Sequence, residues 1–222
     1  DRRVALLKLA DDYGVPVVED DCYADLIWSG RRPPALYAMS KSEDVIHIGS
    51  FSKSIAPALR VGFIVAPWSI MSRMLALKTD AGSGALEQMV LAEYCRDNFA
   101  THVPQLRVAL RKKLDTLMEA LNEQFGTAAE FAEPEGGIFL WVKLPDQVDT
   151  LALYQKALAA GVAINPGPDW STDRVHAKSR MRLCFASPSQ AEIREGIAVL
   201  ADICRKEFGV PERSANVARA KG

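Results

Sequence analysis

The run Val45-Ile46-His47-Ile48 leads directly into Gly49-Ser50-Phe51-Ser52-Lys53-Ser54-Ile55-Ala56-Pro57-Ala58-Leu59-Arg60-Val61-Gly62, and this order constrains the fold more than any other stretch. A short β-branched run ending in small residues reads as a buried strand. A lysine just beyond such a strand lies where open α/β sheets keep their ligands, outside the carboxyl ends of the strands. Serines three and one residues before Lys53, with Arg60 seven residues after it, form a hydroxyl and guanidinium set suited to one phosphate.

About thirty residues upstream stands Val17-Val18-Glu19-Asp20-Asp21-Cys22-Tyr23, a second strand ending in an acid with a tyrosine three positions on. Acid and tyrosine at one strand end, with hydroxyls, lysine and arginine at the next, resemble the site of fold-type I pyridoxal-phosphate enzymes. Within that group the chain resembles the aminotransferase class I/II family, and the likeness runs from residue 1 to about 208. The resemblance implies an aminotransferase moving an amino group between an L-amino acid and a 2-oxo acid, through a Schiff base between pyridoxal 5'-phosphate and Lys53. Lys53 would also move the substrate Cα proton. Asp20 would hold the pyridine nitrogen protonated, with Asp21 as the competing acid. Tyr23 would donate to the ring phenolate oxygen, while Ser50, Ser52 and Arg60 would bind the phosphate. Arg182, in Met181-Arg182-Leu183-Cys184-Phe185-Ala186, resembles the family's substrate-carboxylate arginine, with Arg180 as the alternative. Ala58 departs from the glycine of many relatives but touches no proposed contact.

The D-x-x-Y spacing separates two relatives. Aminotransferases of the family commonly show it, whereas GntR-type transcription regulators with an aminotransferase-like effector domain usually place the tyrosine one residue closer. The regulator is therefore the alternative reading. A third, the S-x-x-K of penicillin-binding serine enzymes, fails because the companion S-D-N and K-T-G strings are missing; Lys78-Thr79-Asp80 lacks the glycine.

The net charge of −1 gives no reason to expect nucleic acid or an anionic membrane as partner. Cys22, Cys95, Cys184 and Cys204 are far apart, which points to thiols in a reducing compartment, and His47, His102 and His176 show no zinc spacing. His47, inside a strand, reads as structural. No apolar run is long enough to span a bilayer. The expectation is a cytoplasmic homodimer with small-molecule substrates.

Alternation of helices with strands predicts an α/β layer architecture. A helical stripe of Val4, Leu6, Leu7, Leu9 and Ala10 closes at Gly14, before strands at 15–19, 45–48 and 61–66. Helices follow at 68–77, from Leu86 through Tyr94, and from Pro104 to Gly126. Strands at 130–133, 138–144, 162–165 and 181–186 alternate with helices at 150–160 and 190–208, the last opened by Ser189 and Glu192. The expected division is 1–104, the C-terminal part of a large, mostly parallel-sheet cofactor domain; 105–208, a small α/β domain; and 209–222, a tail. An opening without Met in mid-pattern, and only three large-domain strands, suggest the later part of a longer protein. The resemblance would place an aromatic residue over the ring and an asparagine at its phenolate oxygen on chain preceding residue 1.

Overall fold

A computed structural model describes residues 2–28, 30–80 and 82–211; most of the expected tail lies outside them. The chain divides into two compact units, Asp1–Arg107 and Val108–Gly222.

The first unit opens with α1 (Arg2–Tyr13), which stops at Gly14, a residue at φ +62°. Such a conformation costs a glycine nothing and any other residue about 1 kcal/mol or more. The chain then enters β1 (Val17–Asp20) and, after a 3-10 turn at Ala24–Leu26 and the short α2 (Leu36–Met39), β2 (Val45–Ser50). A second 3-10 turn, Pro57–Leu59, precedes β3 (Gly62–Val65), and α3 (Trp68–Leu77) follows. The sheet order is β1-β2-β3. β1 and β2 run parallel, with Glu19 opposite His47 and Asp20 opposite Ile48; β3 is antiparallel to β2. Leu7, Leu36 and Val45 form the core of this unit, with Val17, Tyr37 and Met39 packed on them.

Of the apolar stripe expected on α1, only Leu7 is buried; Val4, Leu6 and Leu9 are exposed. At 100° per residue these leucines and the valine point round the whole helix, so one contact with α2 and β2 covers just one of them.

The helices expected on either side of Pro104 are one continuous α4 (Ala85–Phe125). Residues 95–103 contain no glycine to end the helix, and Leu91 and Val103 are buried on it. Burial of this kind offsets the roughly 3 kcal/mol that an interior proline costs a helix.

The second unit contains β4 (Glu130–Phe131), β5 (Phe139–Lys143), α5 (Thr150–Ala159), β6 (Asn165–Pro166), β7 (Arg180–Cys184) and α6 (Gln190–Phe208). Its sheet has the order β4-β5-β7-β6 and is antiparallel throughout. Leu140 and Val142 on β5, with Met181 and Leu183 on β7, point to one face and are buried, as a period of two requires. α6 begins at a capping box in which Ser189 Oγ accepts from the Glu192 amide and the Glu192 carboxylate accepts from the Ser189 amide. It ends at Gly209 in the left-handed region, after which the Val210 amide donates back to the Cys204 carbonyl and the Val210 side chain is buried.

Candidate active site

Parallel pairing in register makes the two chemical groups of the first unit converge. Because Asp20 faces Ile48 and the Asp21 amide donates to the Ile48 carbonyl, both chains leave the sheet at the same end. There the Lys53 ammonium lies 5.8 Å from the centre of the Tyr23 ring. The Cys22 thiol between them is pushed up to about 11 by burial and by Asp20, with Lys53 pulling the other way. Acid, phenol and amine thus meet around one strand end.

Strand alternation sorts the acids. Glu19 is buried on one face with His47, whereas Asp20, one residue on, is exposed on the other. Asp20 accepts from the Cys22 amide at 3.3 Å, and no cation pairs with it among the described residues. Asp21 is committed elsewhere: the Arg32 guanidinium bridges it and Asp25, at 2.8 Å each.

Ser50, at the end of β2, accepts from the Ser52 amide at 3.1 Å, a tight turn that brings the two hydroxylated residues together. Ser54 is buried, and its hydroxyl has no partner among the described residues. Arg60 is the one residue other than glycine at positive φ among the described residues, at 53°. Its guanidinium is exposed and donates to the Pro57 carbonyl at 3.0 Å. A strained left-handed arginine closing a 3-10 turn is a conformation that tends to cluster at ligand clamps. Phe63 lies across from Gly49, and a Cβ on Gly49 would meet the Phe63 ring and turn it aside.

Sequence pattern alone does not single out Glu19. Its carboxylate accepts from Arg3 at 2.8 Å, from the Leu36 amide at 2.8 Å and the Tyr37 amide at 3.3 Å, and lies 3.0 Å from His47 Nδ1. Burial alone would raise its pKa, but these contacts outweigh burial and hold the carboxyl at about 2. Glu19 so ties α1, β1, β2 and the start of α2 together. An acid directly after the apolar pair Val17-Val18, inside a strand, is the one available signal. Glu19, Asp21 and His47 also bring their ligand atoms within 4.8 Å of one another, but the carboxylates are already engaged by Arg3, Arg32 and the two amides.

In the second unit Arg182 projects from β7 on the face opposite the buried Met181 and Leu183. Its guanidinium carbon lies 3.2 Å from the centre of the Trp170 ring and 3.9 Å from that of Phe139. Its Nε is buried without a hydrogen-bond partner among the described residues. No carboxylate pairs with it among the described residues. Arg180 donates instead to the His176 carbonyl, at 3.3 Å, and lies 2.9 Å from the His176 ring nitrogen.

Pyridoxal phosphate makes three demands on a donor set. Its phosphate needs hydroxyls and a guanidinium, its pyridine nitrogen needs an acid with spare acceptor capacity, and its phenolate oxygen needs a donor. Ser50, Ser52 and Arg60, then Asp20, then Tyr23, have those properties, and the unpartnered Ser54 hydroxyl belongs to the residue next to Lys53. The residues fit the cofactor.

Similarity to known proteins points the same way. The aromatic-amino-acid aminotransferase 1 of Thermococcus litoralis is 33% identical over 210 residues, 93% of this chain and 50% of that protein. An uncharacterized HTH-type transcriptional regulator of Bacillus subtilis is 32% identical over 88% of this chain and 41% of its own. The crystal structure of the Pyrococcus horikoshii kynurenine aminotransferase, in complex with PMP, superposes with a TM-score of 0.85 at 35% identity, covering 94% of this chain and 52% of that one. The chain spans about half the length of the curated aminotransferases it matches. The aminotransferase class I and II profile matches residues 3–200, the stretch that carries both strand-end groups and Arg182, and the chain belongs to that family.

Proposed function

We propose that the protein containing this chain is a pyridoxal-phosphate-dependent aminotransferase that exchanges an amino group between an L-amino acid and a 2-oxo acid. The observation that carries this reading is the meeting of Asp20, Tyr23 and Lys53 at the shared end of two parallel strands. Bound there, pyridoxal phosphate supplies the electron withdrawal that acidifies the Cα–H bond of an amino acid. Lys53 anchors the cofactor, and its Nζ takes the proton from the substrate Cα and gives one back in the reverse half-reaction. Asp20 keeps the ring nitrogen protonated, and its lack of a competing cation supports it over Asp21. Tyr23 donates to the phenolate oxygen, and Ser50, Ser52 and Arg60 hold the phosphate. Arg182 pairs with the substrate carboxylate through two parallel bonds, for which its buried, unpartnered Nε supplies one donor.

No helix among the described residues is long and apolar enough to cross a membrane. We place the enzyme in the cytoplasm as a homodimer. The regulator reading retains support in the identity, up to 32%, to HTH-type transcriptional regulators. One experiment decides. Reduction with borohydride in the presence of pyridoxal phosphate, followed by peptide mapping, should leave the pyridoxyl label on Lys53, and an unreduced portion of the same preparation should convert amino acid to 2-oxo acid. A label on another lysine refutes the site; labelled Lys53 without turnover, together with sequence-specific DNA binding, favours the regulator.

A further inference from the structure

An arginine on a strand otherwise committed to the core needs something to hold it, and here that is not a carboxylate. The Arg182 guanidinium carbon lies over two rings, 3.2 and 3.9 Å from their centres. Arg182 is therefore held against the faces of Trp170 and Phe139. Phe139 comes from β5, the strand that pairs with β7. Trp170 arrives differently, at the end of a 3-10 turn, Gly167–Asp169, closed by its amide donating to the Gly167 carbonyl at 2.9 Å. That turn is pressed onto the chain entering β7: a Cβ on Gly167 would lie 2.5 Å from the carbonyl oxygens of both Ala177 and Arg180. Only glycine permits this approach, and the approach brings the Trp170 indole over the guanidinium.

Stacking fixes the plane of a guanidinium while consuming none of its five N–H donors. An ion pair would fix it equally well but would occupy the edge that a carboxylate needs. In this arrangement the Nε stays buried and unpaired, a cost that a bidentate carboxylate would remove. We infer that Trp170, with Phe139, is a positioning residue for substrate recognition, an aromatic clamp that presents the Nε edge of Arg182 to the carboxylate of amino acid and 2-oxo acid alike. This rests on the assignment of Arg182 to the substrate carboxylate. Trp170 is half exposed, so its replacement disturbs the clamp more than the core.

The test uses the holoenzyme with Trp170→Leu and Trp170→Phe, beside Arg182→Lys as the control on the underlying assignment. Trp170→Leu should raise KM for amino acid and 2-oxo acid together by about 3- to 30-fold, the worth of a partly desolvated cation–π contact, with kcat changed by less than about threefold. Trp170→Phe, which keeps an aromatic face, should restore most of that loss. Primary amines lacking a carboxylate should react equally well with all three Trp170 forms. A readout independent of turnover is the indole fluorescence of the cofactor-free enzyme titrated with 2-oxoglutarate. The wild type should show a saturable change that Trp170→Phe lacks. If Arg182→Lys weakens carboxylate substrates selectively but Trp170→Leu leaves their KM within about twofold, the clamp is wrong and the arginine assignment stands. If Arg182→Lys reduces amines and amino acids equally, assignment and clamp both fail. An equal loss on amines and amino acids in Trp170→Leu alone makes Trp170 structural and also ends the proposal.

Discussion

The two units of the chain bury their apolar residues very differently. In the first, Leu7, Leu26, Leu36, Val45, Leu91 and Val103 are the only buried apolar side chains among the described residues; all the others belong to the second unit. All four residues of β3 are exposed, as are Val18 on β1, Trp68 and Leu77 on α3, and Leu86 and Met89 on α4. The second unit encloses Leu114, Leu121, Leu140, Val142, Leu153, Phe185 and Leu200 almost completely. A three-stranded sheet with open faces is the kind of surface that other chain normally covers, whereas a four-stranded sheet backed by packed helices closes on itself. The proposed cofactor residues and the self-sufficient core therefore reside in separate units: Lys53 and its neighbours occupy the unit less able to stand alone, with Arg182 in the other.

The widest separation between the units should appear when they are made apart. Residues 108–211 should give a cooperative thermal unfolding transition and protected amides, whereas residues 2–107 should aggregate or show neither. Hydrogen exchange and circular dichroism on the two pieces decide this. A monomeric, protected first unit would abolish the contrast.

Next in size is the expected effect of Asp20→Asn, set against Asp21→Asn. Loss of the charge facing the ring nitrogen should slow Cα proton abstraction by about 3–4 kcal/mol, measured as single-turnover rates, with cofactor binding largely kept. Asp21→Asn should cost instead the Arg32 ion pair, which is part-exposed and worth about 1 kcal/mol of stability or less. The opposite pattern would move the catalytic role to Asp21.

Glu19 gives the first unit a pH dependence of its own. Its folded pKa, about 2, lies below the ordinary 4.5, so the stability it contributes is fully present above about pH 4.5. It is lost as pH falls toward 2, and amounts to about 3 kcal/mol. Denaturant melts followed through first-unit amides should steepen in acid for the wild type, and Glu19→Gln should flatten that slope over the same window. An unchanged slope would show that the carboxylate is not the group being titrated.

The smallest effect belongs to the second unit. Ser189→Ala removes one half of the α6 capping box and should cost about 1 kcal/mol of that unit's stability, with no change in cofactor affinity. A loss several times larger would mean that the helix start does more than cap itself.

Much of the fold, and the candidate site as proposed, is legible in the sequence alone, for one reason: the signals are local. β-branched runs bounded by small residues mark β1, β2 and β3 within a residue or two, and Ser189 with Glu192 marks the start of α6 without reference to any distant contact. The spacing of Asp20, Tyr23, Ser50, Ser52, Lys53 and Arg60 carries the family, because side chains fixed to neighbouring strand ends inherit their geometry from the backbone.

Tertiary structure decided what depends on partners distant in sequence. Whether Pro104 breaks a helix turned on burial of Leu91 and Val103, not on the proline alone. Which face of β1 is buried separated Glu19 from Asp20, and the ion pair of Asp21 depended on Arg32, eleven residues along an irregular loop. The partners of Arg182 came from β5 and from a turn pressed against β7 through Gly167. An arginine in an apolar strand shows in sequence only that a partner is needed. That the partners are two aromatic faces, leaving Nε unpaired, is set by packing, which no local pattern encodes.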